Sequence, residues 1–333
     1  MCLNVPCLSL LVVGVGVLMS VVMFYPSPPL SPQVLGWQKQ GKFFSYKGHN
    51  IFYMDVGGKG SKGTVMCLHG FPTFSLDWKK ILPGLQTQYS RVILFDFLGF
   101  GLSDKPESHN YSLFEQADIA ESLAASLAVT KTHLLSHDYG DTVAQELLHR
   151  HNQVVQGKGK ASGTVPTLTL QSLVLLNGGV FPETNHPRFV QKLLLVPVFG
   201  PMLGRLTFFR LFKRGFGEIF GENQPSEAEF LDFYATLCHK NGHHVTSGLL
   251  SYIPERHANR DRWVNALKDA KIPVLMIYGP ADPVNPPAFA DHFRKELPQH
   301  KLAVLDKTIG HYPHLEDSES TLYHIAQFLQ AIA

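Results

Sequence analysis

The sequence predicts an α/β fold in which a mostly parallel, eight-stranded sheet is covered by helices on both faces. Eight short apolar runs are typical of strands, most of them buried on both faces. Most of these runs are separated by segments with helical periodicity, the alternation expected of parallel strands joined by right-handed helical crossovers. After the sixth strand, a long helical segment rich in aromatic residues interrupts the alternation. We expect this segment to form a lid inserted into the domain.

The individual elements follow the same alternation along the chain. The first two strands form a hairpin, and the later strands alternate with helices. The predicted strands occupy residues 42–46, 50–55, 64–68, 91–96, 132–136, 170–176, 273–278 and 302–305, and helices are expected near 76–85, 113–127, 141–150 and 322–331. Residues 39–180 and 266–333 therefore form the predicted core, and residues 181–265 form the predicted helical lid.

The N-terminal residues 1–38 contain no charged side chain and are predicted to hold a membrane anchor and a proline-rich linker. Residues 8–25 form an apolar run of 18 residues, just long enough to cross a bilayer as a helix. No Lys or Arg precedes the run, and no small-x-small cleavage site follows it at "YPSPP". These features favour a retained anchor over the alternative, a cleaved signal peptide.

The charges beside the apolar run predict how the chain sits in a membrane. Lys39, Lys42 and Lys47 follow the run, so the positive-inside rule favours a cytosolic catalytic domain. Asn110 begins an Asn-Tyr-Ser glycosylation sequon, which would be used only on the lumenal side. We expect an endoplasmic reticulum membrane location with the domain in the cytosol, and the sequon leaves the opposite orientation open.

Composition excludes several classes of function. The net charge is +2 and no dense run of Lys or Arg is present, so a nucleic-acid partner is not expected. Of the four cysteines, two lie in the uncharged N-terminal region 1–38 and the other two are far apart, which is not a disulfide framework. No CxxC or other metal-binding spacing is present, and we expect neither a metal nor a cofactor.

The stretch "LLSHDYGDTVAQEL" offers two candidate nucleophiles, Ser136 and Asp138, at the junction of a strand and a helix. A nucleophile elbow is a sharp turn that needs small residues two places before and after its centre. Around Ser136 these places hold Leu134 and Asp138, whereas around Asp138 they hold Ser136 and Gly140. Asp also tolerates positive φ better than most residues. We predict that Asp138 is the nucleophile; the alternative is that it only caps the following helix.

A carboxylate nucleophile implies a different reaction from a serine hydroxyl. It can displace a leaving group from saturated carbon and form an alkyl-enzyme ester, whose carbonyl carbon is then attacked by water. The oxyanion that develops in this second step needs backbone N–H donors. We expect these donors to be Tyr139 in the elbow and Phe71 in the loop after the third strand.

The base and its orienting acid are expected at later strand ends, because ligands bind at the carboxyl ends of parallel strands. His311 follows the last strand and is the predicted base, with His314 as the alternative. Asp282 follows the strand at 273–278 and would fix the His tautomer and stabilise its cation. His69 and His137 are interpreted as structural parts of their loops.

Five motifs in order resemble those of the epoxide hydrolase and haloalkane dehalogenase branch of the α/β-hydrolase fold. They are "HGFP" at 69–72, "DFLGFGLSDKP" at 96–106, "SHDYGD" at 136–141, "GPADPVNP" at 279–286 and "GHYPHLE" at 310–316. The order Asp, Asp, His is also that of this branch. The resemblance implies Asp138 as nucleophile, Asp282 as orienting acid and His311 as base, with oxyanion-hole N–H groups from Phe71 and Tyr139.

The resemblance also concerns the lid and the substrate. Epoxide hydrolases use lid tyrosines to protonate the opening epoxide oxygen; Tyr252 matches the second of these. Tyr234 is the nearest candidate for the first, although a packed helix residue is the alternative. Tyr139 stands where a halide-binding Trp is common, which disfavours dehalogenation.

We therefore predict a membrane-anchored hydrolase that acts on an epoxide or another small apolar or lipid-like substrate. A dehalogenase, an ester or lipid hydrolase, and a non-catalytic membrane-anchored binding protein are the alternatives.

Overall fold

The computed structural model describes residues 13, 14, 16, 27–158 and 167–332, and the predicted fold class is confirmed. The strands are β1 (Lys42–Tyr46), β2 (His49–Gly57), β3 (Thr64–Leu68), β4 (Arg91–Phe95), β5 (Lys131–His137), β6 (Thr169–Leu176), β7 (Val274–Tyr278) and β8 (Lys301–Val304). They form one eight-stranded sheet in the order β1-β2-β4-β3-β5-β6-β7-β8. The pairs β1–β2 and β2–β4 are antiparallel and all other pairs are parallel.

Helices lie between the strands and in a long insertion between β6 and β7. The helices that precede β6 are α1 (Pro32–Gln40), α2 (Leu82–Gln88), α3 (Leu113–Ser126) and α4 (Tyr139–Val155). The insertion contains α5 (Phe189–Leu194), α6 (Phe199–Arg205), α7 (Phe209–Gly217), α8 (Glu227–Cys238), α9 (Thr246–Leu249), α10 (Tyr252–Ala258) and α11 (Arg260–Lys268). The remaining helices are α12 (Ala288–Glu296), α13 (Pro313–Glu316) and α14 (Ser318–Ala331). Short 3₁₀ helices lie at Ser75–Lys80, Pro182–Thr184 and His239–His244.

The sheet is buried on both faces because successive apolar residues of its central strands point to opposite sides. In β3, Met66 and Leu68 belong to one apolar cluster, whereas Val65 and Cys67 belong to the other. All four side chains are fully buried. This two-sided burial explains why the central strands are continuous apolar runs rather than alternating ones.

Two helix boundaries differ from the sequence prediction for local reasons. The helix expected at 76–85 is divided into the 3₁₀ helix Ser75–Lys80 and α2, because a proline at the start of α2 lacks the N–H that a continuous helix needs. Helix α4 begins at Tyr139 rather than at residue 141, and it extends to Val155. Its end enters the polar, glycine-containing segment that precedes β6, and residues 159–166 of that segment lie outside the described residues.

The segment between β6 and β7 consists of helices joined by loops and contains no strand among its described residues, and its last helix packs on the core. Trp263 Nε1 donates to Glu146 Oε2 at 3.0 Å, and Asn152 Nδ2 donates to the carbonyl oxygen of Ala266 at 2.8 Å. Helix α11 therefore lies against α4, the helix that follows the predicted nucleophile.

The N-terminal region meets the rest of the chain through α1. Ser31 caps this helix by accepting from the Val34 N–H at 3.2 Å, and Trp37 Nε1 donates to Ser75 Oγ at 3.0 Å. The boundary predicted at residue 38 thus falls inside a packed helix. The predicted anchor at residues 8–25 lies outside the described residues except at 13, 14 and 16, and none of the helices in the described residues combines the length and apolar character needed to cross a bilayer.

Candidate active site

Asp138 occupies a sharp turn between β5 and α4. Its backbone has φ 48° and ψ −104°, a conformation that is unusual and strained for a residue with a side chain. The residue is only 3% exposed and lies at the carboxyl edge of the parallel strands. This is the geometry expected of a nucleophile elbow rather than of an ordinary helix cap, and no hydrogen bond from its side chain caps α4 among the described residues.

Ser136 and Gly140, two positions before and two positions after Asp138, are small for different reasons. A Cβ atom on Gly140 would lie 2.3 Å from the carbonyl oxygen of Leu68, so no larger residue fits without moving β3. The hydroxyl of Ser136 is buried and donates to Asp141 Oδ1 at 2.6 Å. Ser136 is therefore engaged inside the elbow, and Asp138 is the residue whose side chain faces the candidate base.

The Asp138 carboxylate has two distinct oxygen environments. Its Oδ2 accepts a hydrogen bond from the backbone N–H of Phe71 at 3.0 Å. Tyr139 is the first residue of α4, where a backbone N–H has no acceptor within the helix. The other oxygen of the Asp138 carboxylate, Oδ1, lies 3.7 Å from His311 Nε2. One oxygen thus lies in the predicted oxyanion hole while the other faces the predicted base.

His311 lies between two carboxylates, and its ring is oriented by Asp282. His311 Nδ1 is 2.8 Å from Asp282 Oδ2. Asp282 is held in turn by Asn177 Nδ2 and Asn285 Nδ2, each 3.0 Å from Oδ2, and by the Val284 N–H, 2.7 Å from Oδ1. These donors fix the carboxylate, and through it the tautomer and orientation of the imidazole.

The charges of these three groups stabilise one another. Burial disfavours the cation of His311, but the negative charges of Asp282 and Asp138 outweigh it and raise the pKa of His311 to about 10. Burial disfavours the Asp138 anion, but the hydrogen bond and charge of His311, followed by the charges of His137 and Arg256, hold the Asp138 pKa well below its usual range. The pKa of Asp282 is also lowered, because the charge of His311 and its donors outweigh burial. Before substrate binds, Asp138 and Asp282 are therefore anions, and His311 between them is a cation.

The other histidines near the site have different partners. His314 is fully buried, and its ring stacks on Trp78 with centroids 4.6 Å apart. His69 Nε2 accepts from the Phe97 N–H at 3.0 Å, and His137 Nε2 donates to the carbonyl oxygen of His311 at 2.8 Å. His311 is thus the histidine placed between the two carboxylates, and His69 and His137 hold loops together.

The two lid tyrosines lie in different places. Tyr252, on α10, is 3% exposed, and its ring centroid is 5.2 Å from that of Tyr139 and 6.1 Å from that of Phe71. Burial and the nearby negative charge of Asp138 raise its pKa, so its hydroxyl stays protonated and can donate. Tyr234 instead donates to the carbonyl oxygen of Thr207 at 2.9 Å within the insertion.

Sequence reasoning missed three residues of the site. Asn177 and Asn285 hold Asp282, and a signal for them existed, since Asn177 ends β6 and Asn285 lies in the "GPADPVNP" motif. Arg256 is 3% exposed and its charge acts on Asp138. Its only sequence signal was its position four residues after Tyr252, which places both side chains on one helix face.

Comparison with known proteins identifies the family of this chain. The family model described as the alpha/beta hydrolase family matches residues 65–322. The chain belongs to the α/β hydrolase family. This hydrolase is 49% identical to the mesoderm-specific transcript protein of Mus musculus over 306 residues, an alignment that covers 90% of this chain and 89% of that protein. It is also 34% identical over 287 residues to the putative hydrolase LipZ of Mycobacterium tuberculosis, over 86% of this chain and 94% of that protein.

Solved structures show the same fold. The haloalkane dehalogenase DbeA from Bradyrhizobium elkani superposes with a TM-score of 0.71 at 22% identity, over 88% of this chain and 98% of that one. The predicted membership in the α/β-hydrolase superfamily is confirmed. The sequence also predicts, from stretches such as "GKFFSYKG" and "NGGVFPET", that the whole chain resembles the mesoderm-specific transcript protein, and this prediction is confirmed as well.

Proposed function

We propose that this hydrolase opens an epoxide, or displaces a comparable leaving group from a small lipid-like substrate, through an ester on Asp138. The observation that carries the proposal is the arrangement of the Asp138 carboxylate. Its Oδ2 accepts from the Phe71 N–H at 3.0 Å, and its Oδ1 lies on the side of His311. A carboxylate fixed in this way is suited to attack saturated carbon.

The first step forms a bond from Asp138 to the substrate carbon and breaks the bond from that carbon to its leaving oxygen. Tyr252 lies beside Tyr139 and Phe71, and its protonated hydroxyl supplies a proton or hydrogen bond to that oxygen. With an epoxide, the product of this step is a single hydroxyalkyl ester of Asp138, in which the former ring oxygen is a hydroxyl group still attached to the substrate.

The second step uses His311 as a base, and the first step prepares it for this role. The pKa of His311 is raised to about 10 while both carboxylates are charged, with burial opposing the effect. Esterification removes the charge of Asp138, so the pKa of His311 falls and its imidazolium releases a proton, which replaces the one given by Tyr252. The neutral imidazole then takes a proton from a water that attacks the carbonyl carbon of the ester, and the N–H groups of Phe71 and Tyr139 stabilise the oxyanion. The oxyanion collapses by breaking the bond to the alkyl oxygen, which takes the proton from His311 and leaves as the alcohol, and the new carboxyl group of Asp138 returns its proton to His311.

Residues 8–25 would hold this hydrolase at the endoplasmic reticulum membrane, with the catalytic domain in the cytosol. A lipid-like substrate that partitions into the bilayer suits such a location. Asn110 is exposed, so a glycosidase-sensitive mass shift at Asn110 in cells would contradict the cytosolic orientation.

Trapping of the ester tests the proposal. The His311→Gln variant, incubated with a panel of lipid epoxides, should accumulate a covalent adduct on Asp138 that mass spectrometry of its peptides detects. The His314→Gln variant serves as the matched control and should not accumulate it, because His314 stacks on Trp78 instead of facing Asp138. Absence of any adduct, release of halide from a haloalkane, or release of fatty acid that survives Asp138→Ala would favour the alternative functions.

A further inference from the structure

Arg256 is buried beside the nucleophile in an unusual state. The residue is 3% exposed, and its Nε donates to Thr142 Oγ1 at 3.0 Å. Thr142 lies four residues after Asp138, which corresponds to about 6 Å along a helix axis. A Cβ atom on Gly179 would lie 2.0 Å from Arg256 Nη1, so the glycine after β6 leaves space for the guanidinium. Arg256 is therefore held at a fixed place one helical turn from Asp138.

One nitrogen of this guanidinium, Nη2, lacks a hydrogen-bond partner in the described part of the chain. Nη2 is buried and has no hydrogen-bond partner among the described residues, nor does any of their carboxylates form an ion pair with Arg256. Arg150 shows the usual solution: its side chain is 10% exposed and pairs with Asp118, Glu121 and Glu146. The guanidinium lies over the ring of Tyr252, with Cζ 4.9 Å from the ring centroid, and its charge acts on Asp138, but neither contact gives Nη2 a hydrogen-bond acceptor. A guanidinium stays charged and is costly to bury without a hydrogen-bonded anion, so the unpaired Nη2 indicates that a ligand supplies one.

We propose that Arg256 binds a carboxylate of the substrate, so that this hydrolase acts on an acidic lipid. Its planar pair of N–H donors matches a carboxylate. The hydrogen bond to Thr142 places that carboxylate a few bonds from the carbon that Asp138 attacks. The substrate class is therefore an apolar chain that carries both an electrophilic carbon and a nearby carboxylate, such as an epoxy acid. The role of Arg256 in the reaction rests on the proposed function of Asp138. Binding of a carboxylate by Arg256 does not, and it can be measured separately.

Binding of octanoate and of its neutral amide, octanamide, to the full-length Asp138→Asn variant tests this assignment by calorimetry. The Asp138→Asn substitution prevents turnover and removes the negative charge of Asp138, which would otherwise repel octanoate. Octanoate should bind at least about 10-fold more tightly than octanamide, the size expected of a hydrogen bond to a charged group. Adding Arg256→Met should abolish the difference, and Arg256→Lys, which keeps the charge but not the pair of donors, should retain part of it. Arg260→Met changes the net charge equally at a partly exposed site and should leave the difference intact.

Thermal unfolding separates binding from a structural role. Replacing an unpaired buried charge by an apolar side chain of similar size should leave the melting temperature unchanged or raise it. Equal binding of octanoate and octanamide, or a difference that persists in Arg256→Met, would overturn the assignment. A melting temperature that falls together with a uniform loss of both ligands would do the same. Trapping in His311→Gln is a separate measurement, so failure of the Asp138 chemistry is distinguishable.

A second feature, the lid segment 188–217, points to a surface partner. The segment contains six basic residues and no acidic one. Nine of the seventeen large apolar side chains that are exposed among the described residues belong to it: Phe189, Val190, Leu193, Val196, Val198, Phe199, Met202, Phe208 and Leu211. Lys192, Arg210 and Arg214 are exposed and form no ion pair with the described residues. Basic charge beside exposed apolar side chains is typical of a surface that lies on an anionic membrane.

We infer that segment 188–217 docks on an anionic lipid surface. Leu194, on α5, belongs to the same buried apolar cluster as Tyr139 and Tyr252, so the segment also packs against the candidate site. Lipid contact would therefore occur where a lipid-like substrate enters.

Quenching by brominated lipids tests this contact independently of any N-terminal anchor. In the full chain, the Phe199→Trp variant should lose about half of its added fluorescence or more on vesicles that contain phosphatidylserine, and less on neutral vesicles. The Tyr323→Trp variant places the probe at an exposed site outside the segment and should lose little. Equal quenching in the two variants, or quenching that does not depend on phosphatidylserine, would overturn the inference.

Discussion

The charged groups at the carboxyl edge of the sheet are buried and hydrogen-bonded, whereas many of those in the lid segment 188–217 are exposed. At the edge, Asp282 accepts hydrogen bonds from His311, Asn177, Asn285 and the Val284 N–H. In the segment, three of the six basic side chains, Lys192, Arg210 and Arg214, are exposed without ion pairs to the described residues, and large apolar side chains face outwards. The edge is organised for chemistry within the chain, whereas the segment is organised for contact with something outside it.

Removal of the nucleophile should have the largest effect and should distinguish the two regions most clearly. Asp138→Ala is expected to lower turnover of a lipid epoxide by about 10,000-fold or more, because no other group supplies the ester. Asp291→Ala is the control, since Asp291 is exposed on α12 and its side chain is 87% accessible. Steady-state kinetics measure both. Activity of Asp138→Ala within tenfold of wild type would show that the edge does not carry the reaction.

Alanine at two glycines compares packing at the edge with packing in the lid. Gly140→Ala should destabilise the protein by about 3 kcal/mol, because its Cβ would lie 2.3 Å from the Leu68 carbonyl oxygen. Gly215 lies inside α7 with nothing within 4 Å of a Cβ atom, so Gly215→Ala should be neutral or stabilise by up to about 1 kcal/mol. Urea unfolding measures both changes, and equal values would remove the contrast.

The pH dependence of stability should report the buried charges of the edge. The folded-state pKa of His311 is raised to about 10 from 6.5, so its contribution is complete below about pH 6.5 and is lost as pH rises towards 10. Wild type should lose about 1–3 kcal/mol more than His311→Gln between these limits, as measured by urea unfolding. Parallel pH profiles of the two proteins would contradict the charge assignment.

Substitutions on the lid surface should have the smallest effects on stability. Phe189 is 75% exposed, so Phe189→Ala should change the free energy of unfolding by less than about 0.5 kcal/mol. Phe216, in the same segment but 5% exposed, should lose about 3 kcal/mol on replacement by Ala. If Phe189→Ala destabilised as strongly as Phe216→Ala, the exposed side chains would be part of the fold rather than a docking surface.

The edge was predictable from sequence because its signals are local. The small residues around Asp138 and the positions of Asp282 and His311 after strands depend on a few neighbouring residues each. The central strands were also predictable, since two-sided burial makes them continuous apolar runs. By contrast, the helix predicted at 76–85 is divided at a proline, and α4 begins directly after the elbow.

Arg256 could not be predicted because tertiary packing alone decides its burial. Nothing in "YIPER" distinguishes it from the exposed arginines of the same chain. Its place depends on Thr142 and on the space left at Gly179, which are 114 and 77 residues away in sequence. The exposure of the lid segment is equally a property of the assembled fold, because the same aromatic side chains could have packed inside.

The most direct test of the central claim is a single turnover in water enriched in heavy oxygen, with the protein in excess over a lipid epoxide. In the proposed reaction the product takes its new oxygen from Asp138, and water replaces that oxygen in the carboxylate. Mass spectrometry should therefore find the heavy oxygen in the peptide that contains Asp138 and an unlabelled diol. A labelled diol with an unlabelled Asp138 would mean that water attacks the substrate directly, and the ester mechanism would be wrong.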